Sequence, residues 1–311
     1  MRIFENINVD FLGSNKDSYL ISGILLAIAV VSLFYPGLEA GIDFTGGTEF
    51  IVETDTAVPP VEARRALSGS ALGDNVEAKE FGDPQTLLVR TGIGGDADSL
   101  RSTLVSTLGA SFAGSNPEVV GTSSVGPRIA SDLAEKSFWL VLSALFVILL
   151  YIFIRFDWRY AVAAVLTLAH DVIIVLGLFA LFHNVTPFSL QIDQAIIAAL
   201  LTIVGYSIND TVVVFDRIRE YAQLFKTEPY TEVANRAINT TLSRTILTSG
   251  TTLIAVFVLF LLGGEVLKGF SLALLVGIAV GTYSSIFVAS PIVVALREKY
   301  APARRVVTAR A

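Results

Sequence analysis

The chain has no cysteine, so it can carry no disulfide framework, no thiolate metal site and no thiol nucleophile. It has two histidines, too few to make a His-based metal centre a reasonable expectation, and no cofactor is expected. Charge is scarce as well: 16% of 311 positions are charged, against about 25% in ordinary soluble domains. With a formal net charge of −6 and no basic run, the composition argues against a nucleic-acid partner, because such partners require a basic stripe. No nucleotide-binding loop, metal motif or nucleophile elbow is visible, so an enzyme is not expected.

What is plentiful is hydrocarbon. Hydrophobic residues make up 53% of the chain, which makes lipid the solvent for much of it. A spanning helix needs roughly 20 largely apolar residues to cross about 30 Å of hydrocarbon. Six segments qualify, near residues 18–36, 137–154, 160–182, 194–215, 245–263 and 269–296. The first has a long polar lead and no Ala-x-Ala cleavage site, so it is expected to be a retained helix rather than a signal peptide.

Orientation follows from Lys and Arg in the short loops. Arg155 and Arg159 separate the second and third crossings, Arg217, Arg219, Lys226 and Arg236 the fourth and fifth, and Arg297, Lys299, Arg304 and Arg305 follow the sixth. These loops are expected to be cytoplasmic. Residues 183–193 hold no Lys or Arg and residues 264–268 hold one Lys, so they are expected on the other side. The resulting plan is a cytoplasmic segment 1–17, a first crossing 18–36, an extracytoplasmic domain 37–136, five crossings within 137–296, and a cytoplasmic tail 297–311.

Within the large loop, strand-like runs occur at residues 48–54, 76–81, 86–90 and 119–123, and helical spacing at 61–67 and 99–108. The order β-α-β-β-α-β predicts an α+β, ferredoxin-like domain, with Gly82, Asp83 and Pro84 as a hairpin turn. The fold class expected for the whole chain is therefore a polytopic α-helical membrane protein of six crossings with an α+β domain between the first two.

Polar residues inside the crossings are the candidate functional groups. Asn209 and Asp210 interrupt an apolar stretch that continues through Val212, Val213, Val214 and Phe215. A carboxylate there costs roughly 2.5 to 3.5 kcal/mol on insertion scales, so it must be protonated, paired or facing a water-filled cleft. Tyr206 lies four residues before Asp210, and Thr202 and Gly205 extend that face towards the bilayer middle. Such a stripe serves either proton chemistry or interhelical packing. Arg244, at the cytoplasmic start of the fifth crossing, is either the partner of Asp210 or an anchor that snorkels to the headgroups. His170 and Asp171 lie roughly 16 Å into the third crossing and serve either as a packing hydrogen bond or as a relay. Gly277 and Gly281 form a small-residue pair in the sixth crossing, followed by Ser284, Ser285 and Ser290. Gly46 and Gly47, just after the first crossing, supply either a hinge or a tight turn into the first strand.

Three ordered motifs, GIDFTGGTEF from Gly41, GYSINDTVVVFDRIRE from Gly205 and NRAINTTLSRTILTS from Asn235, resemble the SecD/SecF family of the bacterial Sec translocase, within the resistance-nodulation-division superfamily. The resemblance covers essentially the whole chain. It implies an accessory protein-export subunit of the bacterial inner membrane that uses protons as coupling ion. The implied partners are SecD, the SecYEG channel, the translocating preprotein, and YidC and YajC. Relay roles implied by the resemblance fall on Asp210 and Arg244, with Asn209 beside the former; a further acidic relay residue is implied to lie in SecD. The competing expectations are a small-molecule efflux component, which predicts a second similar half in the same chain, and a passive assembly scaffold.

Overall fold

Among the described residues of the computed structural model, six helices are long and apolar enough to cross a bilayer: Asp17–Gly37, Pro127–Arg155, Trp158–Phe182, Gln194–Leu224, Tyr230–Leu262 and Glu265–Lys299. The structure describes residues 9–13, 15–73, 76–93, 96–186 and 188–300. Residues 1–8, 14 and 301–311, which belong to the expected terminal segments and include Arg304 and Arg305, lie outside the described residues.

The first crossing is α1 (Asn15–Ser32), closed by a π turn over Leu33–Gly37 and followed by a short α2 (Ile42–Thr45). The inserted domain then runs β1 (Gly47–Glu53), α3 (Pro60–Leu67), β2 (Val76–Phe81), β3 (Asp83–Thr91), α4 (Ala97–Ser111) and β4 (Glu118–Val125). Its sheet is antiparallel throughout, in the order β2-β3-β1-β4. The period of two along β1 sends Phe50 and Val52 into a core with Leu87 and Val89 of β3, Ala63 and Leu67 of α3, and Leu100, Leu104 and Leu108 of α4. The four-residue spacing of those three leucines forms one helix stripe. Glu49 and Ile51, on the opposite face of β1, line a cavity of about 180 Å³ whose other wall includes Asp193, Ile196 and Phe270 from the membrane-spanning helices. The sheet thus lies with its second face towards the bundle.

The remaining crossings are α5 (Pro127–Arg155), α6 (Trp158–Phe182), α7 (Gln194–Leu224), α8 (Tyr230–Leu262) and α9 (Glu265–Ser284), with α10 (Ser290–Lys299) completing the sixth. Three of them differ in extent from the sequence reading. Helix α5 begins about ten residues before the expected crossing, so the end of the expected domain segment is helical. Helices α7 and α8 continue as Asp216–Leu224 and Tyr230–Arg244 past the apolar stretches. Hydropathy reports where lipid lies, not where helix stops, and these tails bury Ile218, Ala234, Ala237 and Ile238 with Phe11 and Leu12. Asn235 and Asn239, four apart on α8, hold the chain start there: their side-chain oxygens accept from the amides of Phe11 (2.8 Å) and Val9 (2.9 Å). The sixth crossing changes register through a π turn at Ser285–Ala289, just before Pro291, whose ring and missing N–H disrupt the ladder.

Close helix contacts use glycine. A Cβ on Gly277 of α9 would lie 2.3 Å from Cδ1 of Ile203 on α7, and one on Gly281 would lie 3.0 Å from Cβ of Ser207. On the other side of the bundle Gly177 of α6 meets Ala29 of α1 in the same way, and Ser32 Oγ donates to the Gly177 carbonyl at 2.8 Å. The α7–α9 contact is tight enough to test. Gly277→Ala should destabilise the detergent-solubilised chain by about 1 to 3 kcal/mol through overpacking. Combined with Ile203→Ala, which makes room, the double variant should lose less than the sum of the two single losses in a double-mutant cycle of denaturant unfolding.

Candidate functional site

Two carboxyl groups sit in the middle of the bundle, both joined to α7. Asp171 of α6 is 1% exposed and Asp210 of α7 is 4% exposed. Lipid supplies no hydrogen-bond partners, so the surrounding helices must. Asp171 Oδ2 accepts from Ser207 Oγ of α7 at 2.6 Å and from Ser284 Oγ of α9 at 2.9 Å. Its Oδ1 faces Nδ1 of His170 at 3.0 Å. Asp210 Oδ2 accepts from Ser249 Oγ of α8 at 3.1 Å, and Ser249 in turn accepts from Thr282 Oγ1 of α9 at 2.8 Å. Ser207 and Asp210 are one turn apart on the same helix, so α6, α7, α8 and α9 are joined through two neighbouring carboxyl nodes.

Hydroxyls are apt partners for a group that changes protonation. Each has one donor and two acceptor positions and can reverse its role by rotating. Three further polar atoms are buried beside the nodes without a hydrogen-bond partner among the described residues: Nε2 of His170, Oγ1 of Thr211 and Oγ1 of Thr245. Buried polar atoms are ordinarily satisfied, so these three leave hydrogen-bonding capacity beside the nodes.

The sequence-predicted site residues divide into two sets. Asp210, Asp171 and His170 are buried in the network, and Tyr206 is half-buried with its OH 3.4 Å from Thr252 Oγ1. Thr202, Gly205 and Asn209 are exposed on another side of α7, so the expected continuous stripe does not form. The reason is helical: steps of four residues drift by about 40° each, and Thr202, Tyr206 and Asp210 pass from the surface into the interior. Arg244 makes no ion pair with Asp210. It is exposed on α8 together with Thr248 and Thr251, close enough to act on Asp210 electrostatically but not within 4 Å. Ser249 occupies the position beside the carboxyl instead. Ser207, Ser249 and Thr282 escaped the sequence reading; hydroxyls on spans packed against an acidic residue were the available signal.

Gly46 and Gly47 form a tight entry into β1 with φ of +73° and +127°. A Cβ on Gly47 would meet the Thr91 carbonyl oxygen at 2.4 Å. Just before them the chain is stitched to the start of α7. The Gly41 amide donates to the Ile192 carbonyl (2.8 Å) and the Ile192 amide to the Glu39 carbonyl (2.7 Å). Asp43 Oδ2 accepts from the Gln194 amide at 3.0 Å. Glu39 binds Lys79 of β2 and accepts from Gln191 Nε2 at 2.6 Å. Arg90 of β3 donates to the Ala40 carbonyl at 2.7 Å and to Thr45 Oγ1 at 3.1 Å. Burial alone would raise the Glu39 pKa, but the hydrogen bonds and charge of Lys79, with Gln191, outweigh it and hold the carboxyl below its usual range. Burial pushes Glu49 and Asp193, which line the neighbouring cavity, the other way.

Comparison with known proteins places this geometry in context. The family "Protein export membrane protein SecD/SecF, C-terminal" matches residues 105–299, and "SecD/SecF GG Motif" matches residues 31–58. The chain is 54% identical over 310 residues to the protein translocase subunit SecF of Rhodothermus marinus, covering 100% of both. It is 46% identical to that of Desulfurispirillum indicum, covering 94% of this chain and 93% of the relative. Among solved structures it resembles SecDF, a translocon-associated membrane protein from Thermus, with a TM-score of 0.84 at 39% identity over 96% of this chain. A SecDF structure in a super-membrane-facing form matches with a TM-score of 0.65 at 38% identity over 95% of this chain. The chain spans 40% of each of those two solved chains.

Two outcomes follow from the geometry. Asp171→Ala strands two buried hydroxyls and His170, and should cost about 3 kcal/mol of unfolding free energy, against about 1 for Ser249→Ala. At the joint, the lowered Glu39 pKa means that its contribution is present above the ordinary Glu value near 4.3 and is lost as pH falls through the folded value. The excess hydrogen-exchange protection of the Gly41 and Ile192 amides in the chain with Glu39 over that with Glu39→Gln should therefore vanish on acidification, after correction for intrinsic exchange. The Glu39 charge also raises the Glu49 pKa, so both proteins carry Glu49→Gln and the difference reports Glu39 alone.

Proposed function

Because the chain belongs to the SecD/SecF family of protein export membrane proteins, an integral membrane family of Sec translocation accessory subunits, we propose that it uses the proton-motive force, with SecD, to promote preprotein movement through the SecYEG channel. The observation that carries this reading is the bonding of Asp210. It is a carboxyl buried at 4% exposure, contacted by a neutral hydroxyl, with Arg244 nearby and unpaired among the described residues. In this arrangement Asp210 takes up and releases a proton, Ser249 rotates to follow it, and Arg244 meets the ionised form in the alternate state. The unpartnered Thr211 and Thr245 hydroxyls supply bonds for the second arrangement.

Transmission uses α7. From Asp210 to Asp193 is 17 residues, roughly 26 Å of helix at 1.5 Å per residue, and Asp193 adjoins the stitched joint below the sheet. A proton falling through 100 mV supplies about 2.3 kcal/mol, enough to bias a two-state movement of that rod and the domain it holds. The difference in TM-score between the two SecDF forms at nearly equal identity supports a fold that admits more than one arrangement.

The partner reading rests on surface chemistry. Asn209 of α7 and Arg244 of α8 are exposed polar groups on membrane-spanning helices that lipid would not satisfy, whereas Thr202, Thr248 and Thr251 beside them donate to carbonyls of their own helices. SecD is the partner that covers Asn209 and Arg244, and YidC and YajC join the same assembly. By the charge rule the chain ends lie in the cytoplasm and the inserted domain lies outside the bacterial inner membrane. A scaffold without proton chemistry is the second reading, favoured by the hydroxyl groups that bond both carboxyl nodes across helices.

Asp210→Asn separates them. It preserves shape and keeps a group able to bond Ser249, so the variant should assemble with SecD at native yield. Proton-motive-force stimulation of preprotein translocation into vesicles should be abolished, while the ATP-driven rate without a gradient stays unchanged. Full stimulation in the variant would leave the scaffold reading standing.

A further inference from the structure

At the opposite end of the bundle from the inserted domain, the turn between α5 and α6 forms a cavity of about 380 Å³ with the ends of α7 and α10. Neither carboxyl node reaches it. Three guanidinium groups line it, those of Arg155, Arg219 and Arg297, and one carboxylate, that of Asp157. Arg155 is committed to Asp216 at 2.7 Å, and Asp157 to Arg159 at 2.7 Å. Arg219 donates only to the Arg155 carbonyl, at 3.2 Å, and Arg297 lies over the Tyr230 ring at 4.4 Å. Among the described residues neither has a carboxylate within 4 Å. Two uncompensated cations therefore line one cavity.

Its position selects the anion. Arg155 is the last residue of a membrane-spanning helix, and the adjacent Ile154, which also lines the cavity, is 76% exposed. On the same helix Leu145, Ile148, Leu149 and Ile152 form, with α6, an entirely apolar groove of about 320 Å³. Arg155 follows Ile152 by three residues on the same helix and so continues its stripe into the basic cavity, which Phe156 lines just past the helix end. A phosphate alone would use only the arginines. A phosphate carrying acyl chains uses both features, at the depths where a bilayer places them.

We propose that this end of the chain is a binding site for an anionic phospholipid, with the phosphate between Arg219 and Arg297 and an acyl chain in the α5–α6 groove. The site would tie α5, α7 and α10 together at the membrane boundary.

The test uses the full chain in phosphatidylcholine nanodiscs, with spin-labelled phosphatidylglycerol or spin-labelled phosphatidylcholine as probe and the immobilised fraction as readout. The native chain should prefer phosphatidylglycerol by roughly 25-fold, since each of the two basic residues at an anionic lipid surface contributes about fivefold. Arg219→Gln with Arg297→Gln should reduce that preference to within about twofold, whereas the double lysine variant should keep most of it. Ile148→Trp, which fills the groove and leaves the arginines in place, should lower immobilisation and decides the matter if the glutamine variant fails to fold. Absence of a preference in the native chain, or its persistence in a folded glutamine variant, overturns the proposal. Two other results would also overturn it. One is phosphorus NMR showing inorganic phosphate bound to the lipid-free chain while labelled lipid shows no preference, which would make free phosphate the ligand. The other is loss of a co-purifying protein from the glutamine variant with lipid preference intact, which would make the cavity a seat for an acidic protein segment.

Discussion

The contact on which the interior depends is the one between α7 and α9. Gly277 and Gly281 let the helices approach until a single added methyl would collide with Ile203 or press on Ser207. That approach brings Ser284 within 2.9 Å of a carboxyl on α6 and Thr282 within 2.8 Å of a serine on α8. In lipid no hydrophobic force drives helices together, so close packing and shared polar bonds must do so. Here the two are linked: the packing sets the distances and the hydroxyls convert them into bonds.

The same contact explains why α7 is the natural conductor of the molecule. It contributes Asp210 to one node and Ser207 to the other, and its first residues take a cap from Asp193 and a bond from Asp43 of the α1–β1 connection. A protonation change at Asp210, as proposed, would alter one bond to α8 while the Asp171 node keeps α7 bonded to α6 and α9. The chain therefore has both a fixed and a changeable attachment within one turn of one helix. Two-state movement requires that combination, because a helix free on all sides transmits nothing and one fixed on all sides cannot move.

Much of this was legible beforehand. The crossings are visible because an apolar run of spanning length has few other uses, and Asp210 is visible because a carboxylate inside such a run is costly. The partners were not. Ser207 and Ser249 look like ordinary small residues on a membrane helix, and only tertiary packing shows which of them face a carboxyl. The expected polar stripe failed for a geometric reason, since an i, i+4 series drifts around the helix, and Thr202 emerges at the surface two steps from Asp210. The extents of α7 and α8 were missed because their tails are polar on one face and pack on Phe11 and Leu12, a long-range contact without a local signature.

The separation between Asp210 and Arg244 sharpens the mechanism. Had they been paired here, ionised aspartate would be the ground state and proton uptake would have to break a bridge in low dielectric, which is costly when a charge is left uncompensated. With Ser249 as the contact, the carboxyl can be neutral without leaving any charge buried, because Arg244 rests at the surface. Under the proposed proton role, ionisation would give the arginine a reason to move inward, or a partner's polar groups a reason to approach it and Asn209. In the proposed role the proton would govern an attraction across the outer face of α7 and α8, where Asn209 and Arg244 are exposed.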